Sequence, residues 1–522
     1  MEDRQLKIAL EGRIDSNNAA TVEQELLAKL GMERDLTVIL DAEKLDYISS
    51  AGLRVVLHLK KTFPELRVVN VNPEVYEIFD MTGFTEMMPI EKAYRVVSVE
   101  GCEEIGRGAN GTIYRIDQDN VVKVYTNAAA LDEIRHEREV AKLALILGIP
   151  TAISYDVVRV GESYGSVFEL LNASSFSKIL SSEPAKLDWC VREYVKMLKS
   201  IHSTLVPAGK LPDVKETALW WGSTALPALP KEAGETLMSL IRAVPHDDHM
   251  IHGDYHTKNL MLQGDEVLLI DMDTLAVGHP VFELANMYNA YLGFYELDHD
   301  AIKAFQGFEY ETGRTFWKKS LSAYLGTSCE TKLREVEDKA RVLGYTRLIS
   351  RAVRRGLDET RKGSAEIAFW RKELLALLEH TDTLTFSPNE LLIEAETGNL
   401  AEVQTFVEER LEAADCPPKA LMQINVAVEE IFVNIASYAY APEKGSATVR
   451  VEVPESPVSV TITFIDHGVP YDPLARTDPD ISLAAEERGI GGLGVFMTKK
   501  MMDDIAYEYR DGQNILTMKK NL

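Results

Sequence analysis

Residues 251–259 read Ile-His-Gly-Asp-Tyr-His-Thr-Lys-Asn, and residues 269–273 read Leu-Ile-Asp-Met-Asp. These two stretches decide the fold of the middle of the chain. Asp254, Asn259 and Asp271 follow one another at the spacing of a phosphoryl-transfer set. In such a set one acid takes the acceptor's proton, while the amide and the other acid hold magnesium on the ATP phosphates.

Working upstream, Gly106-Arg-Gly108-Ala-Asn-Gly111 is a GxGxxG turn between two strand-like stretches. Alone it would equally open a dinucleotide fold. Val121-Val-Lys123-Val reads as a strand with one lysine, suited to ATP phosphates. A helical stretch follows with Glu137, placed to pair with that lysine. Each piece has a plain structural explanation, but the pieces stand in the order a kinase requires. The block resembles the protein-kinase-like superfamily, and the His-Gly-Asp-x-His-x-x-Asn wording is closest to its aminoglycoside and choline phosphotransferase branch. The resemblance implies two lobes with ATP between them and Phe168-Glu169-Leu170 as the hinge, Glu169 lying beside the nucleotide. It also implies that Gly106, Gly108 and Gly111 cover the phosphates, Lys123 holds them, Glu137 orients Lys123, Asp254 is the base, and Asn259 and Asp271 bind Mg2+. His252 is expected to pack and hydrogen-bond the loop. Nothing from Leu187 to Trp221 names an acceptor.

Near the C-terminus a second, unrelated set occurs. Glu430 and Asn434 lie four apart on an apolar helical stretch, hence on one face. Asp466-His-Gly468 follows a strand-like run, Val458 to Ile465. Gly489-Ile-Gly491-Gly492-Leu-Gly494 opens another helix, where backbone N–H groups can meet phosphates. Thr517 lies on the final strand-like stretch, Asn514 to Lys519. The set resembles the GHKL ATPase fold and, within it, the small anti-sigma factor serine kinases. That resemblance implies that Asn434 coordinates magnesium, Asp466 contacts adenine beside Gly468 and Thr517, Gly491, Gly492 and Gly494 wrap the phosphates, and Glu430 is the base. It leaves open a homodimer through this C-terminal ATPase domain. The family's histidine shortly after the asparagine is missing, for the chain reads Asn-Ile-Ala-Ser-Tyr.

The first block has a βαβ rhythm. Asp35 to Leu40 and Leu66 to Val71 are buried-type strands, and Ala51 to Lys61 has apolar residues at helical spacing, so a small α/β domain with a partly parallel sheet is expected. Between them, Ser49 and Ser50 stand where a helix opens, and serine is a favoured N-cap. A phosphate placed there would face the positive end of the helix dipole. Tyr-Ile-Ser-Ser-Ala-Gly-Leu-Arg-Val closely resembles the STAS domain of anti-sigma factor antagonists, in which a serine at this turn is phosphorylated by a partner kinase. The family's preceding acid is Ser49 here and its second hydroxyl position is Ala51, so Ser50 is the matching phosphoacceptor.

A chain of 522 residues exceeds one hydrophobic core. The expected architecture is multidomain α/β and α+β: a STAS-like α/β domain over 1–97, a two-lobed protein-kinase-like domain over 98–384 and a GHKL-type α/β sandwich ATPase domain over 385–522. A net charge of −26 argues against a nucleic-acid partner. The four cysteines lack CxxC spacing and fit a reducing cytoplasm. No signal peptide or membrane span is visible. The resulting expectation is a cytoplasmic bacterial partner-switching regulator that transfers phosphate from ATP to serine or threonine, with a sigma-like factor or other regulatory protein as partner. The alternatives are a small-molecule phosphotransferase with regulatory ends, and an ATP-binding scaffold that sequesters a sigma-like partner.

Overall fold

The computed structural model describes residues 5–31, 37–108, 111–127, 131–454, 459–475 and 493–522. Gly491 and Gly492 lie outside the described residues.

In the first block, strands Gln5–Ile14, Thr37–Ile48, Leu66–Val71 and Ile90–Lys92 pair in chain order. All three pairings are parallel rather than only some of them. The reason is that a helix crosses back after each of the first three strands: Ala19–Leu30, Ser50–Thr62 and Pro73–Met81. The Ser50–Thr62 helix buries Leu53, Val55, Val56 and Leu59 on the sheet. Gly52 lets that helix approach closely, since a methyl there would come within 2.7 Å of Ile48 and 2.9 Å of the Ile14 carbonyl.

A six-stranded sheet follows, in the order Arg95–Val96, Asp156–Val160, Ser163–Glu169, Asn120–Tyr125, Gly111–Arg115, Glu103–Arg107. Its helix is Leu131–Ile146. The next part is helical around one large core, with Tyr194, Tyr255, Tyr291 and Trp317 fully buried. Two short antiparallel sheets punctuate it. Met250–Ile251 pairs with Ala276–Val277, and Leu260–Gln263 lies between Ser174–Ser175 and Glu266–Leu269. The 25-residue helix Glu330–Arg354 is its longest element.

The last block is a five-stranded antiparallel sheet in the order Glu390–Glu394, Ser446–Glu452, Ser459–Asp466, Gln513–Asn521, Asp504–Arg510. Helices Leu400–Glu412 and Pro418–Asn434 supply the other side of its core. The stretch Pro418–Ala439 is long and apolar enough, by length and composition, to cross a membrane. Ile424, Ala427, Val428, Ile431 and Phe432 on it are buried in the domain's own core. The start of the 330–354 helix is fastened to this block. The Glu409 carboxylate accepts from the Ser328 N–H at 2.8 Å and hydroxyl at 2.7 Å, Glu402 accepts from Thr331, and Cys329 packs into the block's core.

Candidate functional site

Lys123 lies on the Asn120–Tyr125 strand and Glu137 on the helix after it, and the fold brings them together. The ammonium donates to both Glu137 carboxylate oxygens, at 2.8 and 3.0 Å. The Tyr125 hydroxyl donates to the same carboxylate at 2.6 Å, a partner the motif does not announce. Gly111 is required by space, because a methyl would sit 2.4 Å from the Val124 carbonyl. The Gly108 N–H donates to the Gly111 carbonyl at 2.9 Å, and Gly106 lies on the strand before it. Glu169 ends its strand exposed, and the Leu170 N–H after it donates to the Asp119 carbonyl.

Asp254 lies just past the Met250–Ile251 strand. Asn259 immediately precedes Leu260–Gln263, and Asp271 comes two residues after Glu266–Leu269. The hairpin therefore sets the spacing between Asn259 and Asp271, and the loop before it sets that between Asp254 and Asn259. Asn259 donates its amide N–H to the Asp254 carbonyl at 3.0 Å, and its side-chain oxygen is the atom that could hold a metal ion. Oxygen donors of this kind suit Mg2+, which takes one or two protein groups beside the nucleotide phosphates. Asp271 has φ 65°, a left-handed backbone uncommon outside glycine. Gly253 has φ 84°, and a methyl on it would lie 2.5 Å from the Thr274 carbonyl.

The loop is held from behind by Glu283, fully buried on the Val281–Tyr288 helix. Its carboxylate accepts N–H groups of His252 at 2.5 Å, Gly253 at 3.1 Å and Tyr255 at 3.4 Å. Burial pushes this carboxyl up to about 7 against those three bonds. His252 is buried, pushed down to about 4 by desolvation, and takes the Asp254 N–H at 3.3 Å and the Thr274 hydroxyl on its carbonyl. It packs and bonds the loop as expected. Burial acts to raise the Asp254 carboxyl, but His256, whose Nε2 is 3.4 Å away, together with Arg347 and His252, holds it at about 2. Glu283 lies 30 residues from the loop, and only the fold exposes its part. Glu283→Ala strands three buried backbone donors at a cost of about 1–3 kcal/mol each. Hydrogen exchange of the His252, Gly253 and Tyr255 amides should then run at least about tenfold faster, since about 1.4 kcal/mol is tenfold. Unchanged protection would deny Glu283 this role.

In the last block, Asp466 is buried at the end of its strand. It accepts the Gly468 N–H at 2.9 Å and the Asn514 amide at 2.8 Å. Gly468 has no room for a side chain, since a methyl would lie 2.3 Å from the Ala439 carbonyl. Thr517 is registered opposite Thr463, their hydroxyls 3.3 Å apart. Asn434 closes the Pro418–Asn434 helix one turn after Glu430. Gly494, in the first turn of the Leu493–Met501 helix, lies directly under Glu430, where a methyl would be 1.8 Å from the carboxylate. Asn514 was not foreseen, being 48 residues from Asp466.

In the first block, Ser49 is the N-cap, its hydroxyl accepting the Ala51 N–H at 3.2 Å. Ser50 is exposed in the first helical turn.

Comparison with known proteins matches three families in order: the STAS domain over residues 2–96, the phosphotransferase enzyme family over 101–318 and the histidine kinase-like ATPase domain over 393–520. BtrV of Bordetella bronchiseptica, named as an anti-sigma factor antagonist, is 40% identical over 92 residues, 17% of this chain and 78% of that protein. The serine/threonine-protein kinase BtrW of the same organism is 26% identical over 95 residues, 18% of this chain and 66% of BtrW. The serine-protein kinase RsbW of Listeria monocytogenes is 29% identical over 106 residues, 19% of this chain and 66% of RsbW. The chain thus spans just under two thirds of these two kinases. The crystal structure of ADP-bound aminoglycoside phosphotransferase APH(2'')-Ib covers 58% of this chain and 98% of its own, at 14% identity and TM-score 0.39.

Proposed function

We propose that this chain, which belongs to the anti-sigma factor antagonist family through its STAS domain and joins it to a phosphotransferase-family domain and a histidine kinase-like ATPase domain, is a partner-switching regulator that transfers phosphate from ATP to serine or threonine. The observation that carries the reading is the exposed Ser50 at a capped helix start, on the same chain as a domain similar to serine kinases that keeps Glu430 and Asn434.

The Ser50 hydroxyl gives its proton to Glu430 as its oxygen bonds the γ-phosphorus, and the bond to the β-phosphate oxygen breaks to release ADP. Magnesium, bound with ATP, supplies neutralising charge on the phosphates. The new dianion lies at the first turn of the Ser50–Thr62 helix, where backbone N–H groups favour it. Tethering raises the effective concentration of donor and acceptor domains to about the millimolar range where the geometry permits contact. In so acidic a chain the added charge weakens docking of the STAS domain on an acidic surface, which supplies the switch. A sigma-like factor or another regulatory protein is the partner, and the compartment is the cytoplasm.

The middle domain is a second ATP-dependent phosphotransferase, in which Asp254, Asn259 and Asp271 serve transfer and metal binding. Asp271→Ala should remove nucleotide from this site, and Asn434→Ala from the C-terminal one. Labelled ATP with phosphosite mapping tests the whole. Label is expected at Ser50, lost in Ser50→Ala and Asn434→Ala and retained in Asp271→Ala. A wild-type chain that never carries label on Ser50 would reduce the STAS domain to a docking module.

A further inference from the structure

We infer that the middle domain phosphorylates an anionic acceptor, a hydroxyl compound carrying a carboxylate or phosphate, which a stripe of arginines on the 330–354 helix draws to Asp254. The inference rests on the reading of Asp254 as the phosphoryl-transfer site and names the substrate class of that site.

Arg347, Arg351 and Arg354 are spaced by four and three residues, so they share one face of the helix. The inner end of the stripe is tied to the catalytic loop. Arg347 donates to the Asn286 side-chain oxygen at 2.5 Å, and Asn286 donates to the carbonyl of Gly253, next to Asp254, at 2.8 Å. The outer end opens to solvent, for Arg354 is exposed and its ring partner Trp220 is 49% exposed. Each guanidinium lies over an aromatic ring: Arg347 over Trp221 at 5.3 Å, Arg351 over Phe294 at 4.8 Å and Arg354 over Trp220 at 4.3 Å. Stacking of this kind fixes the planes while leaving the N–H edges for a ligand.

What makes the stripe unusual is the company it lacks. None of the three makes an ion pair among the described residues. Yet the chain has 82 acids to 56 lysines and arginines, and Arg341 on the same helix is paired with both Asp338 and Glu373. Burial lowers the Arg351 pKa, and Arg355, Arg347 and Arg354 push the same way. A helix C-terminus does favour basic residues, which accounts for Arg354 and its neighbour Arg355. It does not account for Arg347, two turns further in and half-buried. Arg347 faces the charges of Asp254 and Glu283, but Arg351 and Arg354 have no carboxylate within ion-pair distance among the described residues, and such charges beside an acid that must meet an acceptor are what an anionic ligand would complete. A cationic acceptor would be repelled along the whole approach.

The test uses the full chain, ATP and matched acceptors: glucose 6-phosphate, glucose and glucosamine, and serine peptides flanked by glutamate, alanine or lysine. Binding is read by tryptophan fluorescence, which needs no chemistry, and transfer by labelled phosphate. The anionic member of at least one series is expected to bind about tenfold more tightly than its neutral and cationic counterparts, the scale of one charged hydrogen bond. Arg351→Ala and Arg354→Ala should remove that preference, raising KM far more than they lower kcat, and Lys372→Ala, on an exposed face elsewhere, should not. Preference for the sugar phosphate assigns a small-molecule acceptor, and preference for the acidic peptide assigns a protein acceptor. Anion binding that needs the arginines but yields no transfer keeps the anion site and overturns the transferase reading. Equal binding of neutral or cationic probes, or arginine variants that bind as the wild type does, overturns the inference.

Discussion

Asp254→Asn lowers phosphoryl transfer by the middle domain about 10²- to 10⁴-fold, the range of a general-base contribution, while ATP still binds. The amide keeps the shape of the carboxylate, so the loop tethered by Glu283 and by Asn259 should stay folded. What disappears is the negative acceptor. In the free protein that carboxyl is held at about 2, because His256, Arg347 and His252 outweigh the burial that acts to raise it. Its folded value lies below the ordinary one, so the carboxylate is present throughout the neutral range. Any stability it contributes is lost only as pH falls through the acid range toward 2.

So low a value makes Asp254 a weak proton acceptor before the reaction begins. That is compatible with the chemistry. The transition state of phosphoryl transfer is loose, and the acceptor proton need leave only late. Orientation of the hydroxyl is then the larger part of the residue's work, and it follows that Asp254→Glu, with the acid intact but displaced, should also fail. An assay with the acceptor that proves active, run beside nucleotide binding, checks both variants. Turnover by Asp254→Asn equal to the wild type would remove Asp254 from the mechanism.

What was legible in the sequence was local. Asn259 and Asp271 stand at the two ends of one hairpin, so their spacing in the chain is set by the hairpin's length, and Asp254 sits in the short loop just before it. Lys123 and Glu137 are a strand and the next helix. Ser49 announces a cap by residue type alone. The side chains that tension these motifs come from far away. Glu283 reaches back 30 residues, and Arg347 finds Asn286 across 61. Each reads in sequence as an ordinary helix residue, because periodicity reports which face is buried and not which polar atom will face it. The wholly parallel first sheet was half-visible for a similar reason: one crossover helix, Ala51 to Lys61, is legible, but the helices Ala19–Leu30 and Pro73–Met81 are not, and the fourth strand is three residues long.

The same distance effect governs the second large expected loss. Glu430→Gln should abolish phosphorylation of Ser50, by about 10²- to 10⁴-fold if Glu430 is the base, with nucleotide binding kept because Asn434 and Asp466 are untouched. Glu430 is on one helix and Gly494 opens another, yet a methyl on Gly494 would come to 1.8 Å from the Glu430 carboxylate. The glycine therefore serves the position of the acid, not backbone freedom alone. Gly494→Ala must displace either the carboxylate or the helix start, and so should lose transfer and nucleotide together, whereas Glu430→Gln loses transfer alone. Carrying both changes in an Asp254→Asn background silences the middle domain, so that any label on Ser50 reports the C-terminal one. If Ser50 is labelled in that background and Glu430→Gln removes the label, the C-terminal domain is the serine kinase of this chain. If the label persists with glutamine at 430, the base lies elsewhere. If Asp254→Asn alone removes it, the middle domain is the kinase that writes on Ser50.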